Sequence, residues 1–168
     1  MTVAELYVDW PKANTHLLNR IRQLDDEALR FESAPGWPVW AIIAHLAGTR
    51  VYWLCGVFKE PGAESTPFPD ATSGVGWEDD LQTPRRADEL VAAMESTWRI
   101  VESCLNRWTL PMLSETFDRL DTNPVQVHSR KSVLNRMFSH DAFHAGEVSL
   151  ILGEHGRDAI DLWRALPK

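Results

Sequence analysis

The chain has 168 residues, a net charge of −7, 44% hydrophobic residues and 24% charged residues. These values are typical of a globular protein, and we expect residues 1–168 to form a single domain. The acidic balance argues against a nucleic-acid partner, because binding to phosphates needs clustered lysine and arginine. No apolar run is long enough to span a bilayer, and no basic, signal-like segment opens the chain. The sequence thus predicts a cytoplasmic protein with no membrane partner.

Two helices are predicted in the first third of the chain. Apolar residues recur at helical spacing from Leu6 to Leu24, although Pro11 interrupts them and predicts either a kink or a later helix start. The second predicted helix begins near Trp37, has Pro38 at its first helical position, and runs to about residue 58.

A long loop, a third helix, a hairpin and a fourth helix follow. Residues 60–80 are rich in Pro, Gly, Ser, Thr and Asp, and loops of this length often cover a functional opening. Thr83, as the cap, and the proline after it predict a third helix to about residue 108. A small β-hairpin is predicted between residues 113 and 128. Ser129 should cap a fourth helix that runs to His155 and ends at Gly156.

Four long amphipathic segments predict an all-α protein built as a four-helix bundle. The long connection between the second and third helices permits a crossover in place of a simple hairpin. Cys55 and Cys104 lie far apart in sequence and form no Cys-x-x-Cys pair, so we expect two buried, reduced thiols.

Two histidines one helical turn apart are the main functional signal. His140 and His144 lie on one face of the predicted fourth helix, among apolar residues that should face the core. Buried imidazoles are costly unless they are hydrogen-bonded or bind an ion. His45, in an apolar stretch of the second helix, is the best candidate for a third ligand. Three histidines and an open position form a typical catalytic metal site.

Glu147 is the carboxylate best placed to assist these histidines. It lies three residues after His144 and shares its face, so it could orient that imidazole or accept a proton at the site. Asp141 points away from the histidines, and we expect it at the surface. His155 should instead satisfy carbonyl groups at the end of the fourth helix.

Two segments carry a family resemblance. Residues 36–47 (GWPVWAIIAHLA) and residues 137–148 (MFSHDAFHAGEV) resemble the two signature regions of the DinB-like proteins, the damage-inducible bundles that include the bacillithiol transferases. The resemblance implies an up-down-down-up four-helix bundle that binds a divalent metal, zinc or nickel, through His45, His140 and His144. The sequence departs from the family at Glu147, where glutamine is common.

The resemblance also bears on activity and assembly. Characterised relatives use low-molecular-weight thiols, others are described as hydrolases, and many members are homodimers. It implies a metal-dependent enzyme of stress or detoxification metabolism, thiol S-transferase-like, acting on a small-molecule substrate with a metal-activated thiol or water. A non-catalytic metal-binding module, with a stabilising or dimerisation role, is the alternative. A helical scaffold without metal is the third hypothesis.

Overall fold

The computed structural model describes residues 2–33, 36–68, 70 and 73–163, and most of them are helical. Two helices, α1 (Val3–Leu6) and α2 (Trp10–Ile21), share the segment predicted as one helix. Thr2 forms a capping box with Glu5, but α1 ends after one turn. Helix α2 begins at Trp10 with proline in its first turn, which confirms the later start among the two alternatives.

Helix α3 (Val39–Val51) continues directly into a π-helical segment, Tyr52–Val57. The prediction for its start was wrong by one residue, because Pro38 is the N-cap and not the first helical residue. Ten of the thirteen residues of α3 are buried, so the helix is apolar on nearly all sides. It packs against both of the two remaining long helices, α4 (Ala87–Arg107) and α5 (Arg130–Glu154).

The connection from α3 to α4 is the predicted long loop, with short 3-10 turns at Ala63–Ser65 and Trp77–Asp79. The predicted cap of α4 was wrong. Arg86, not Thr83, precedes the first helical residue, because the Glu89 carboxylate accepts a hydrogen bond from the Arg86 backbone N–H at 3.0 Å.

The predicted hairpin and fourth helix are confirmed. Strands β1 (Thr116–Arg119) and β2 (Gln126–Ser129) pair antiparallel. The Ser129 side chain caps α5, and Gly156, two residues after the end of the helix, has a positive φ of 68°. Within the described segments, no helix has both the length and the apolar character needed to cross a membrane.

The core contains a buried ion pair that corrects one sequence-based expectation. Asp141 is buried, not at the surface: it accepts hydrogen bonds from Arg50 at 2.7 Å and from the Trp10 indole at 2.8 Å. Asp141 does point away from the histidines, but it is buried because α5 is packed on two sides, by α3 and by the aromatic cluster around Trp10. Cys55 and Cys104 are buried free thiols, as expected.

Candidate metal centre

The structure brings the three predicted ligands together. His45 comes from the middle of α3, and His140 and His144 come from the facing side of α5. The Nε2 atom of His140 lies 3.1 Å from Nε2 of His45 and 3.1 Å from Nε2 of His144. One ligand atom from each ring falls within 4.8 Å of the other two. The three nitrogens therefore converge on one point between the two helices.

These distances fit a shared cation. Two imidazole nitrogens that each lie about 2.0–2.1 Å from one ion at ligand angles of about 90–110° are separated by about 2.8–3.4 Å. Neutral rings are also required, since a protonated imidazole cannot bind a metal. Burial, followed by the nearby imidazoles of His144 and His45, lowers the pKa of His140 to about 4. Burial likewise lowers the pKa of His144, although Glu147 opposes the shift.

Two carboxylates lie behind the convergent nitrogens. Oε1 of Glu78 is 2.8 Å from Nδ1 of His45, and Oε2 of Glu147 is 2.7 Å from Nδ1 of His144. A carboxylate accepts hydrogen bonds, so a neutral ring at either position carries its proton on Nδ1 and presents a lone pair at Nε2. The Nε2 of His140 can donate to only one of them. In at least one of these two contacts, two nitrogen lone pairs therefore face each other with no proton between them. A cation bound at this point would remove the repulsion between them.

Glu78 was not identified from the sequence. It lies in the 3-10 turn Trp77–Asp79, far from the histidines along the chain, and its side chain is 9% exposed. A Cβ at Gly76 would lie 2.1 Å from Oε2 of Glu78, so glycine makes room for the carboxylate. The carboxylate–histidine pattern is the usual support of metal ligands. No periodicity links a loop residue to a helix 33 positions earlier, so the sequence held no signal for this pair.

A cavity of about 410 Å³ opens beside His45 and His140. Its wall includes Tyr52 and Trp53 from the π-helical segment, and Phe68 from the long loop. Phe68 is buried and packs against Trp77 with ring centroids 5.1 Å apart. The acidic and basic side chains of the wall are those of Asp70, Glu78, Arg119, Asp121 and Arg136. The site thus has room for a small molecule next to the histidines.

The other two histidines with defined partners lie outside this cluster. His155 Nδ1 lies 2.9 Å from the Ile151 carbonyl oxygen at the end of α5, which confirms the expected capping interaction. His128, on β2, packs edge-on against Trp53 with ring centroids 5.0 Å apart. Burial lowers the pKa of His128, and the positive charges of Arg136 and Arg119 lower it further.

Comparisons with known proteins agree with this fold. The search of curated proteins found no significant match. The crystal structure of a DinB-like protein from Bacillus cereus ATCC 10987 is similar, with a TM-score of 0.59 and 18% identity, over 94% of this chain and 93% of the other. The sequence profile of the DinB superfamily matches residues 12–148, a span that includes all three histidines. The chain belongs to the DinB superfamily.

Proposed function

We propose that the protein is a divalent-metal-dependent enzyme that acts on small molecules, with a chemistry like that of thiol S-transferases. The observation that carries the proposal is the convergence of three imidazole Nε2 atoms beside a cavity that His45 and His140 line. Zinc or nickel suits three imidazole ligands. When bound, such an ion lowers the pKa of a thiol or water in its open position and so supplies a nucleophile near neutral pH.

The residues of the chain have distinct roles in this proposal. His45, His140 and His144 hold the ion through Nε2. Glu78 and Glu147 accept the Nδ1 protons and keep the rings in the correct tautomer and orientation. Glu147 contacts the ring nitrogen opposite the convergence point, which supports an orienting role over direct proton transfer from a bound group.

The cavity walls support the binding and exclusion roles. Tyr52, Trp53 and Phe68 supply aromatic surface that holds an organic substrate and excludes water. In the proposed transfer, the sulfur of a low-molecular-weight thiol bonds to an electrophilic carbon of the acceptor. A leaving group departs with its bonding electrons, and the thiol proton passes to solvent. In the hydrolytic variant, water replaces the thiol.

A non-catalytic metal-binding module is the alternative. A structural zinc site normally takes four protein ligands. Among the described residues only three metal-ligating side chains come together here, and two of them line the cavity. These observations favour the enzyme, because an ion held by three histidines beside a cavity would have room to take a further ligand from a substrate.

Four further expectations belong to the same proposal. We propose that residues 1–168 form one domain and that the four long helices run up-down-down-up. The homodimer and the cytoplasmic location implied at the outset also remain predictions. The size of the purified protein in solution tests the homodimer directly.

The test combines metal analysis with thiol consumption. Protein purified without added metal should contain close to one zinc or nickel per chain, and His144→Ala should lose it. The loaded protein should consume cellular thiols in the presence of a generic electrophile, faster than the His144→Ala variant. Absence of metal and of metal uptake would refute the proposal. Stoichiometric metal without thiol or ester turnover would favour the module.

A further inference from the structure

The indole of Trp53 is flanked by two guanidinium groups. Arg119, from β1, and Arg136, from α5, each have their guanidinium carbon 5.2 Å from the Trp53 ring centroid. All three side chains line the cavity beside the histidines. The lowered pKa of His128, which packs on the same indole, is consistent with this concentration of positive charge, after the effect of burial.

Both guanidinium groups have hydrogen-bonding capacity left. Arg119 uses Nε for its bonds to the Tyr52 hydroxyl at 2.6 Å and to Asp121 at 3.0 Å, and its two terminal nitrogens form no hydrogen bond with the other described residues. None of the ion pairs between residues that the structure describes involves Arg136. Its only side-chain contact of defined geometry there is the stacking on Trp53.

The position of Arg136 relates it to the metal centre. It precedes His140 by four residues on α5, so the two side chains lie on one face about one turn apart. Both open into the same cavity. A molecule of modest length can therefore contact the guanidinium at one end and the histidine cluster at the other.

The charges of the wall limit the ligand to a low negative charge. Three carboxylates, those of Asp70, Glu78 and Asp121, also line the cavity. Asp121 is bound by Arg119 and Tyr52, Glu78 is bound by His45, and Asp70 is exposed. A phosphate dianion would be repelled by this set more than a monoanion. A planar carboxylate also matches the fork of an arginine and can lie against the indole.

We propose that the cavity binds the carboxylate of a small organic molecule at Arg136, with Arg119 beside it and Trp53 as the floor. The reactive part of that molecule then faces the three histidines. The inference rests on the proposed function for the role of the reactive end, but carboxylate binding itself does not require the metal. The carboxylate belongs either to the thiol or to its acceptor, and the two sources are separable by experiment.

The first experiment uses metal-free protein and a matched pair of probes. Phenylacetate and phenylacetamide have the same shape and differ in charge, and binding is followed by NMR titration of the Trp53 indole signal. We expect phenylacetate to bind about tenfold more tightly, and Arg136→Gln to remove that preference. Arg136→Lys should recover only part of it, because lysine lacks the planar fork.

The control removes the same charge elsewhere. Arg99 is exposed on α4 and does not line the cavity, so Arg99→Gln should leave the preference intact. Equal binding of the two probes by the unaltered protein would overturn the inference without recourse to any variant. Equal effects of Arg136→Gln and Arg99→Gln would overturn it as well, because the preference would then reflect net charge.

The second experiment identifies the source of the carboxylate with metal-loaded protein. If binding of 3-mercaptopropionate exceeds that of 3-mercaptopropionamide and depends on Arg136, the carboxylate belongs to the thiol. If the two thiols bind equally while phenylacetate still depends on Arg136, it belongs to the acceptor. Both results support the inference. Failure to bind metal would remove the proposed function alone, whereas metal binding without any carboxylate preference would remove this inference alone.

Discussion

Oε1 of Glu78 lies 2.8 Å from Nδ1 of His45, and this contact joins the long loop to the histidine cluster. The carboxylate is almost fully buried, whereas most of the loop around it is exposed. His45, a candidate ligand on the largely buried helix α3, is thus oriented by a residue from an irregular segment. The loop is part of the site and not only a cover over it.

Loss of the Glu78 carboxylate should weaken metal binding. We expect Glu78→Ala to lower zinc affinity about 10–100-fold, because His45 loses the acceptor that fixes its tautomer. Glu78→Gln should recover part of the loss, since its amide oxygen still accepts the Nδ1 proton. Competition with a chelator measures the affinity. Glu102→Gln, on the exposed face of α4, is the control, and an unchanged affinity in Glu78→Ala would contradict the assigned role.

A methyl group added at Gly76 should have a similar effect, although no titratable residue is replaced. An added Cβ would lie 2.1 Å from Oε2 of Glu78, so the carboxylate that contacts His45 must shift from its present position. We expect Gly76→Ala to weaken zinc binding in the same chelator assay. Gly153→Ala is the matched control, because no atom lies within 4 Å of a Cβ there. Equal affinities in the two variants would show that Glu78 tolerates the displacement.

Glu147→Gln separates an orienting carboxylate from a catalytic base. The glutamine oxygen can still accept from Nδ1 of His144, so we expect metal to stay bound and thiol turnover to remain within about tenfold. Steady-state rates and metal content are measured on the same sample. A general base contributes about 10²–10⁴-fold, and a loss of that size with the metal still bound would make Glu147 the base.

Loss of the buried ion pair between Asp141 and Arg50 should lower the stability more than loss of an exposed ion pair. Arg50 is 1% exposed, so Asp141→Ala leaves a buried positive charge unpaired. We expect the free energy of unfolding to fall by about 3–5 kcal/mol, measured by urea denaturation. Asp9→Ala removes the exposed pair with Lys12 and should cost no more than about 1 kcal/mol. Similar costs for the two variants would indicate that water reaches Arg50.

Glu60 should make stability depend on acid pH. Burial raises the pKa of Glu60, but hydrogen bonds from Arg107, Trp108 and Arg130 outweigh it and leave the pKa below the usual value. A carboxyl with a lower pKa in the folded state stabilises the fold above its unfolded pKa, about 4.3, and loses that contribution as the pH falls through the folded value.

The variant Glu60→Gln tests this sign. At pH 7 the free energy of unfolding should be higher for the unaltered protein than for Glu60→Gln. The difference should shrink below about pH 4 as Glu60 takes up a proton. Thermal or urea unfolding at several pH values measures the difference. Glu102→Gln, at an exposed position, is the control for removal of one carboxylate, and a difference for Glu60→Gln that grew in acid would contradict the direction of the pKa shift.

The sequence alone determined the helices and the three histidines of the centre. Helical periodicity is a local property, and His140 and His144 share a face wherever α5 packs. His45 was identifiable because a polar residue in an apolar helix needs a partner. Capping was less predictable: Thr83 and Arg86 differ by one turn, and the Glu89 side chain decided between them.

Only the tertiary structure decided what surrounds those histidines. Glu78, Arg119 and Arg136 reach the site from a loop, a strand and a helix, and no spacing in the sequence relates them. Asp141 was misassigned because its face of α5 meets Arg50 and Trp10, which lie 91 and 131 positions away. Side-chain periodicity fixes which residues share a face, whereas long-range packing fixes what that face meets and hence its charge, burial and chemistry.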